Sequence, residues 1–270
     1  IAISFGKTMA LLGHNGAGKS TLIRIILQII GETSGQVLLD GKKLVESDIR
    51  RFGYLPEERG LYKGMKVLDQ LVYFGRLRGL SKSRARDSGE LWLKKMNLLS
   101  WSNKPVIDLS KGMQQKVQFI AAIIHDPDII ILDEPFSGFD PVSVQSMIAI
   151  ILELKAEGKT ILFSSHQMDA VEEICDEIAI LNKSKIVLKG SLLQLKEKYG
   201  SDNYVLLGKG NLQSNQILQI IDQTNEGWVV KPLKEIKTVI EYLNKEIVLL
   251  AFYKEQPSLT DIFIKSFNLG

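Results

Sequence analysis

A chain of 270 residues can bury one large hydrophobic core, or one such core plus a small appended unit. At 45% hydrophobic and 24% charged the composition is that of an ordinary globular protein, and a net charge of +3 carries no electrostatic signature of a nucleic-acid binder. The single cysteine, Cys175, excludes an internal disulfide and suits a reducing compartment. No apolar run approaches the about 18–20 residues of a membrane span, and no segment has the form of a signal peptide, so any membrane role is expected to pass through another chain.

In chain order, Met9 to Leu12 reads as a short apolar strand entering a glycine-rich loop. Ser20 to Ile30 follows as a helix, with Leu22, Ile23, Ile26, Leu27 and Ile30 at helical spacing. Val37 to Leu39 is a strand entering a tight turn at Asp40-Gly41. From about Val67 to Leu99 the pattern is helical, with a core stripe of Leu68, Leu71, Val72 and Leu77. The basic run Arg76, Arg78, Lys82, Arg84 and Arg86 reads first as a solvated loop, and otherwise as a contact for lipid headgroups or a partner. Strands are expected at Ile129 to Leu132, Thr160 to Ser164 and Glu177 to Leu181, separated by helices at Val142 to Lys155 and Met168 to Cys175, with an edge strand at Ile186 to Leu188. Such alternation predicts an α/β protein whose mainly parallel sheet is covered on both faces. The polar stretch Tyr199 to Asn203 marks a boundary. Beyond it, strands at Tyr204 to Leu207, Gly227 to Val230 and Ile247 to Phe252 and helices at Leu212 to Ile221 and Lys234 to Leu243 predict a small α+β unit. It ends in a helix that starts at the capping box Ser258 to Asp261 and carries Ile262, Phe263 and Phe267.

Three stretches carry chemistry. Gly13-His14-Asn15-Gly16-Ala17-Gly18-Lys19-Ser20, followed by Thr21, fits a phosphate-binding loop between a strand and a helix. Its glycines let backbone N–H groups turn toward the triphosphate of a nucleotide, with ATP the expected one, and the helix adds its positive end. Lys19 would reach the β- and γ-phosphates, and Ser20 would offer its hydroxyl to Mg²⁺. Ile129 to Leu132 is a buried strand ending in Asp133 and Glu134. Asp133, at the open strand end, suits a phosphate-bound Mg²⁺, and Glu134, pointing elsewhere, suits orientation or deprotonation of the attacking water.

The third stretch, Leu109-Ser110-Lys111-Gly112-Met113-Gln114-Gln115-Lys116, resembles the signature segment of ABC ATPases, with Lys111 and Met113 departing from the usual residues. Ser137-Gly138-Phe139-Asp140 resembles that family's D-loop, and His166, after Ile161-Leu162-Phe163-Ser164-Ser165, resembles its switch histidine. Gly53-Tyr54-Leu55-Pro56-Glu57 stands where the family has its Q-loop, with a glutamate in place of glutamine. Either residue offers an oxygen to Mg²⁺ or water, so the resemblance makes Glu57 a metal-ligand candidate. The variant looks like the ATP-binding subunits of bacterial exporters of the sodium and multidrug type.

The resemblance implies a P-loop NTPase fold over residues 1–198, with an inserted helical subdomain at about 57–127, and a small accessory domain over 201–270. It implies ATP hydrolysis with Mg²⁺ by Lys19, Glu134 and His166. It further implies a head-to-tail dimer in which Ser110 and Gly112 of one copy complete the phosphate site of the other. A separate transmembrane permease would dock on the helical segment from about Glu57 to Met96. The expected place is peripheral, on the cytoplasmic face of the cell membrane. The family's adenine-stacking aromatic lies well upstream of the loop; only twelve residues precede Gly13 here, so the adenine platform is expected to lie outside this sequence. Two other readings start from the same residues. A soluble ABC ATPase acting on nucleic acid would need a second ATPase module or a long insertion, and the stretch from Ser20 to Ser110 has room for neither. A non-hydrolysing sensor is suggested by Glu57 and the altered signature, and opposed by Glu134 and His166.

Overall fold

The computed structural model describes residues 1–58 and 60–267. Cα packing divides the chain into two units: one holds Ile1–Leu192 and takes the chain back from Ser266, the other is Leu193–Lys265.

The first unit begins with β1 (Thr8–Leu12), buried at every position, which leads through the glycine loop into α1 (Lys19–Ile26). A two-residue hairpin, β2 (Leu38–Leu39) and β3 (Lys42–Lys43), turns at Asp40 and Gly41, both at positive φ as a tight hairpin turn requires. Then come β4 (Phe52–Leu55), α2 (Val67–Leu77), α3 (Lys82–Lys95), α4 (Lys111–Ile123) and β5 (Ile129–Asp133). The unit continues with α5 (Pro141–Ala156), β6 (Thr160–Ser164), α6 (Met168–Ile174), β7 (Glu177–Asn182) and β8 (Lys185–Ser191). The six-stranded sheet has the order β4-β5-β6-β1-β7-β8 and is parallel except for β8, which runs antiparallel to β7. β6 thus separates β1 from β5, and the carboxyl ends of all three open on one edge, where ligands bind in α/β sheets. Ile23 and Leu27 pack with Met9, Leu11, Ile131 and Leu162, so the helix after the loop is anchored on the sheet it leaves. Among the described residues no helix is long and apolar enough to cross a membrane.

α7 (Leu192–Tyr199) leads into the second unit, which contains β9 (Tyr204–Gly210), β10 (Leu218–Thr224), β11 (Gly227–Pro232), α8 (Ile236–Glu246) and β12 (Ile247–Lys254). Its antiparallel sheet, β10-β11-β9-β12, shares a core with Val239 and Leu243 of α8 through Leu206, Leu218, Trp228 and Val230. Each such buried side chain contributes about 1.5–3 kcal/mol. α9 (Leu259–Phe267) starts at the expected capping box: Asp261 N–H donates to Ser258 Oγ (3.1 Å), and Ser258 N–H to Asp261 Oδ2 (3.0 Å). Ile262 of α9 is fully buried, whereas Phe263 and Phe267 are half-buried.

Four sequence expectations change. The first helix stops at Ile26 rather than Ile30. Gln28 takes a left-handed φ of 55°, Ile29 N–H donates to Arg24 O (2.9 Å) and Gln28 N–H to Ile25 O (3.0 Å), which together close a Schellman cap. The Gln28 carboxamide, donating to Leu44 O at 2.9 Å, holds that residue where glycine is usual.

The helical stretch after Val67 is two helices, broken at Gly79 (φ 96°), and Leu77 ends the first of them 65% exposed, outside the stripe. The basic run lies on these helices and their junction rather than on one loop; Arg86 pairs with Glu90, and burial lowers the pKa of Arg78. The helix expected at Leu212 to Ile221 is instead a turn followed by β10: Asn215 Oδ1 accepts from the N–H groups of Ile217 (2.7 Å) and Leu218 (3.2 Å). Apolar Ile217, Leu218, Ile220 and Ile221 fit either period, and pairing with β11 decides.

Candidate functional site

The loop after β1 is shaped by its neighbours. A Cβ on Gly13 (φ 154°) would stand 2.5 Å from Leu181 O and 3.0 Å from the Ala17 Cβ, so no side chain fits where the end of β7 crosses the loop. The β7–β8 turn adds a hydrogen bond from Ser184 N–H to Ala17 O (3.0 Å). Lys19 is 8% exposed, and its Nζ donates to Gly13 O (2.7 Å) and His14 O (3.3 Å). The lysine is thereby folded back over the loop it belongs to.

A cavity of about 310 Å³ opens beside the loop, lined by Asn15, Gly16, Ala17, Gly18, Lys19, Ser20, Thr21, Glu57, Asp133 and Glu134. Three chain segments far apart in sequence meet there: the loop, the end of β4 and the end of β5. Asp133 is 2% exposed. Its Oδ1 accepts from Ser164 Oγ at 2.5 Å, and the same Oγ accepts from Glu134 N–H at 2.9 Å. Ser164 therefore sets both acids from the adjacent strand, which the register Asp133–Ser164 places directly beside them.

Glu134 has a left-handed φ of 52°, an uncommon conformation for a side-chain-bearing residue. The chain turns there, and the Glu134 carboxylate meets His166 Nδ1 at 2.9 Å. Tyr54 lies near Asp133; burial raises its pKa and the Asp133 charge raises it further, so its hydroxyl stays protonated.

Ser110 and Gly112 are not among the residues lining this cavity. Ser110 caps α4, its side chain accepting from Met113 N–H at 3.2 Å. Gly112 touches the loop after β5: a Cβ there would be 3.3 Å from the Phe139 ring. Asp140 caps α5, accepting from Ser143 N–H (3.0 Å) and Ser143 Oγ (2.6 Å). Gly13 and His14 stay outside the lining and act through their carbonyls on Lys19. Cys175 is half-buried, and burial raises its thiol pKa, which disfavours the nucleophilic thiolate.

Among the described residues, no group of three or more His, Cys, Asp and Glu side chains could hold a metal by itself. What the cavity offers is a hydroxyl (Ser20) and carboxylates (Glu57, Asp133): hard oxygen donors too few to form a cage. That donor set fits Mg²⁺, which protein sites bind through one or two carboxylates together with substrate phosphates.

Two residues at the site were not singled out from the sequence for a role. Ser164 could have been noticed as the hydroxyl that ends an apolar strand. Gln118 is a polar residue on a buried helix face among Val117, Phe119 and Ile120, and it holds the Glu57 loop through Pro56 O and Glu58 O.

A phosphate loop, a buried strand-end aspartate and an adjacent glutamate on one sheet edge define a nucleoside triphosphatase of the P-loop class. Within that class, a family model described as "ABC transporter" matches residues 1–137, and a shorter match, residues 103–172, is to a model described as an AAA domain, putative AbiEii toxin. An uncharacterized ABC transporter ATP-binding protein of Bacillus subtilis, YhaQ, is 42% identical over 96% of this chain and 89% of its own. A solved structure titled as an ATP binding subunit of an ABC transporter superposes with a TM-score of 0.68 at 31% identity, over 74% of this chain and 84% of that one. A second, cbiO1 from Clostridium perfringens, titled as part of the ABC transporter complex cbiONQ, has a TM-score of 0.63 at 27% identity, over 71% and 79% of the two chains. The chain belongs to the ABC transporter family, as an ATP-binding subunit with an ABC ATPase domain.

Proposed function

We propose that this subunit hydrolyses ATP with Mg²⁺ at composite sites shared between two copies and so drives export through a separate membrane-spanning protein. The observation that carries the reading is that Glu134, paired with His166, lines a cavity together with Lys19, Ser20 and Asp133. The loop N–H groups and the start of α1 bind the β- and γ-phosphates, and Lys19 exchanges its loop carbonyls for phosphate oxygens. Ser20, Asp133 and Glu57 would hold Mg²⁺, which supplies charge neutralisation on the phosphates when bound. Glu134 orients the attacking water and accepts its proton, with His166 fixing the carboxylate on the far side. Because Ser110 and Gly112 lie off the cavity of their own chain, a second copy brings its α4 N-terminus to the γ-phosphate, and the altered signature, with Lys111 and Met113, still keeps the serine and the glycine.

The segment from about Glu57 to Met96 is the docking surface for the membrane partner. Exposed Tyr62, Tyr73 and Leu77 in that stretch support it. A relative that is part of a transporter complex also supports a membrane partner for this chain, and the place of work is then the cytoplasmic face of the membrane. Residues 1–198 form the ATPase domain in this reading, with 201–270 as its accessory domain.

Complementation tests the composite site. Lys19→Ala and Ser110→Arg chains are each inactive alone. Mixed one to one, they recover about a quarter of the native ATPase rate, the share of sites left intact in such a mixture of two-fold dimers. No recovery on mixing, with dimers present, refutes the shared site.

A further inference from the structure

We propose that Gln118 is a positioning residue for Glu57, tying the loop of a divalent-cation ligand to the helix that begins at Ser110. The inference rests on the reading of Glu57 as a metal ligand. Gln118 lies in the second half of α4 and is 5% exposed. Its Nε2 donates to Pro56 O at 3.1 Å and to Glu58 O at 2.9 Å, so both amide hydrogens go to the carbonyls on either side of Glu57. The Glu57 segment leaves the end of β4 without helix or strand structure of its own. A clamp on both flanking peptides therefore sets the direction in which its side chain leaves the backbone.

The carboxamide oxygen shows what the side chain is for. Among the described residues, Gln118 Oε1 is buried without a hydrogen-bond partner. Burying an unpaired acceptor is unfavourable, and a leucine or methionine would fill similar space without that cost. The donors, not the packing, account for a glutamine here. α4 runs unbroken from the Ser110 cap through Gln118, so the two ends of this short rod move together. A displacement of Ser110, which a second copy's nucleotide would contact, must pull on the carbonyls around Glu57. Cation affinity at one chain's cavity is then linked to the position of that chain's own α4, and the linkage is reciprocal.

The test uses the full chain with a non-hydrolysable ATP analogue and Mn²⁺ as the probe, its affinity measured by electron paramagnetic resonance. Gln118→Leu is expected to weaken Mn²⁺ binding about tenfold, the usual size of an outer-shell effect on a metal, while metal-free analogue binding stays unchanged. Glu57→Ala also weakens Mn²⁺ binding, and adding Gln118→Leu to it produces no further loss. Equal losses in both backgrounds, or no loss from Gln118→Leu, overturn the positioning role and leave the Glu57 reading standing. An unchanged affinity in Glu57→Ala overturns both. Gln118→Met, which keeps the length and removes the donors, carries the same test should the leucine variant not fold.

Discussion

Ser164→Ala removes one oxygen atom and breaks two hydrogen bonds that set the site's acids. The bond to Asp133 Oδ1 has a charged acceptor, for which about 1.5–3 kcal/mol is usual. The bond from Glu134 N–H, once lost, leaves a part-buried donor unpaired at a cost of about 1–3 kcal/mol. The two are coupled through one hydroxyl, and water from the adjoining cavity can reach the freed N–H, so the sum is smaller than its parts. We expect about 2–3 kcal/mol of lost stability, or a Tm lower by about 5–10 °C for a chain of this size. Turnover should fall at least about tenfold, because the Asp133 carboxylate and the Glu134 backbone lose the group that sets them.

Urea unfolding and phosphate-release kinetics on the same preparations measure both effects. Ser165→Ala is the control: Ser165 is equally buried, but among the described residues its hydroxyl is bonded to the Gln167 N–H alone (3.0 Å), so its loss should stay within about 0.5–1.5 kcal/mol. If Ser164→Ala costs no more stability than Ser165→Ala and turns over normally, the hydroxyl does not organise the acids.

Glu134→Gln should bind ATP with native affinity by calorimetry while turnover falls by about two to four orders of magnitude; unchanged hydrolysis would remove Glu134 from the catalytic role. His125 makes a pH prediction. Its Nε2–H donates to Phe52 O (3.2 Å), which leaves Nδ1 as a buried acceptor with no partner among the described residues, and burial, reinforced by the charge of Arg78, lowers its pKa to about 4. Because the folded pKa lies below the ordinary value near 6.5, the unfolded chain takes up the proton first. Stability is complete above about pH 6.5 and is lost as pH falls toward 4. The full shift corresponds to about 3 kcal/mol, and partial solvent access reduces this to about 1–2 kcal/mol. Histidine-ring NMR titration checks it directly, and a His125 midpoint near 6.5 would contradict the buried-acceptor account.

Much of the site was legible because its chemistry is local. The loop from Gly13 to Ser20 needs only consecutive residues, a strand before it and a helix after it, and the structure supplies β1 and α1. The apolar strand ending in Asp133 and Glu134 is equally short-range. Four of the five parallel strands were visible as runs such as Thr160–Ser164, since strands buried on both faces are continuously apolar, whereas β4, with Gly53 and Tyr54 inside it, was not read as a strand. Where periodicity was ambiguous, as at Leu218–Thr224, pairing with a distant strand decided the outcome. The end of α1 was missed for another reason: its cap is made by Gln28, a residue with no turn signal, held by a carbonyl sixteen positions away.

What the sequence determined by itself, then, is the identity of the reacting groups: a lysine and a serine on a phosphate loop, two adjacent acids at a strand end, a histidine after the next strand. Only the tertiary structure decided how they are held. Glu57 comes to the cavity because β4 lies beside β5. Ser164 controls Asp133 and Glu134 because β6 runs in register with β5, and Gln118 governs the Glu57 loop from a helix some sixty residues onward. Hydrogen bonds between side chains and backbone far apart in sequence leave no periodic or compositional trace, so a serine that aligns two acids and a serine in an ordinary strand look the same until the sheet is formed.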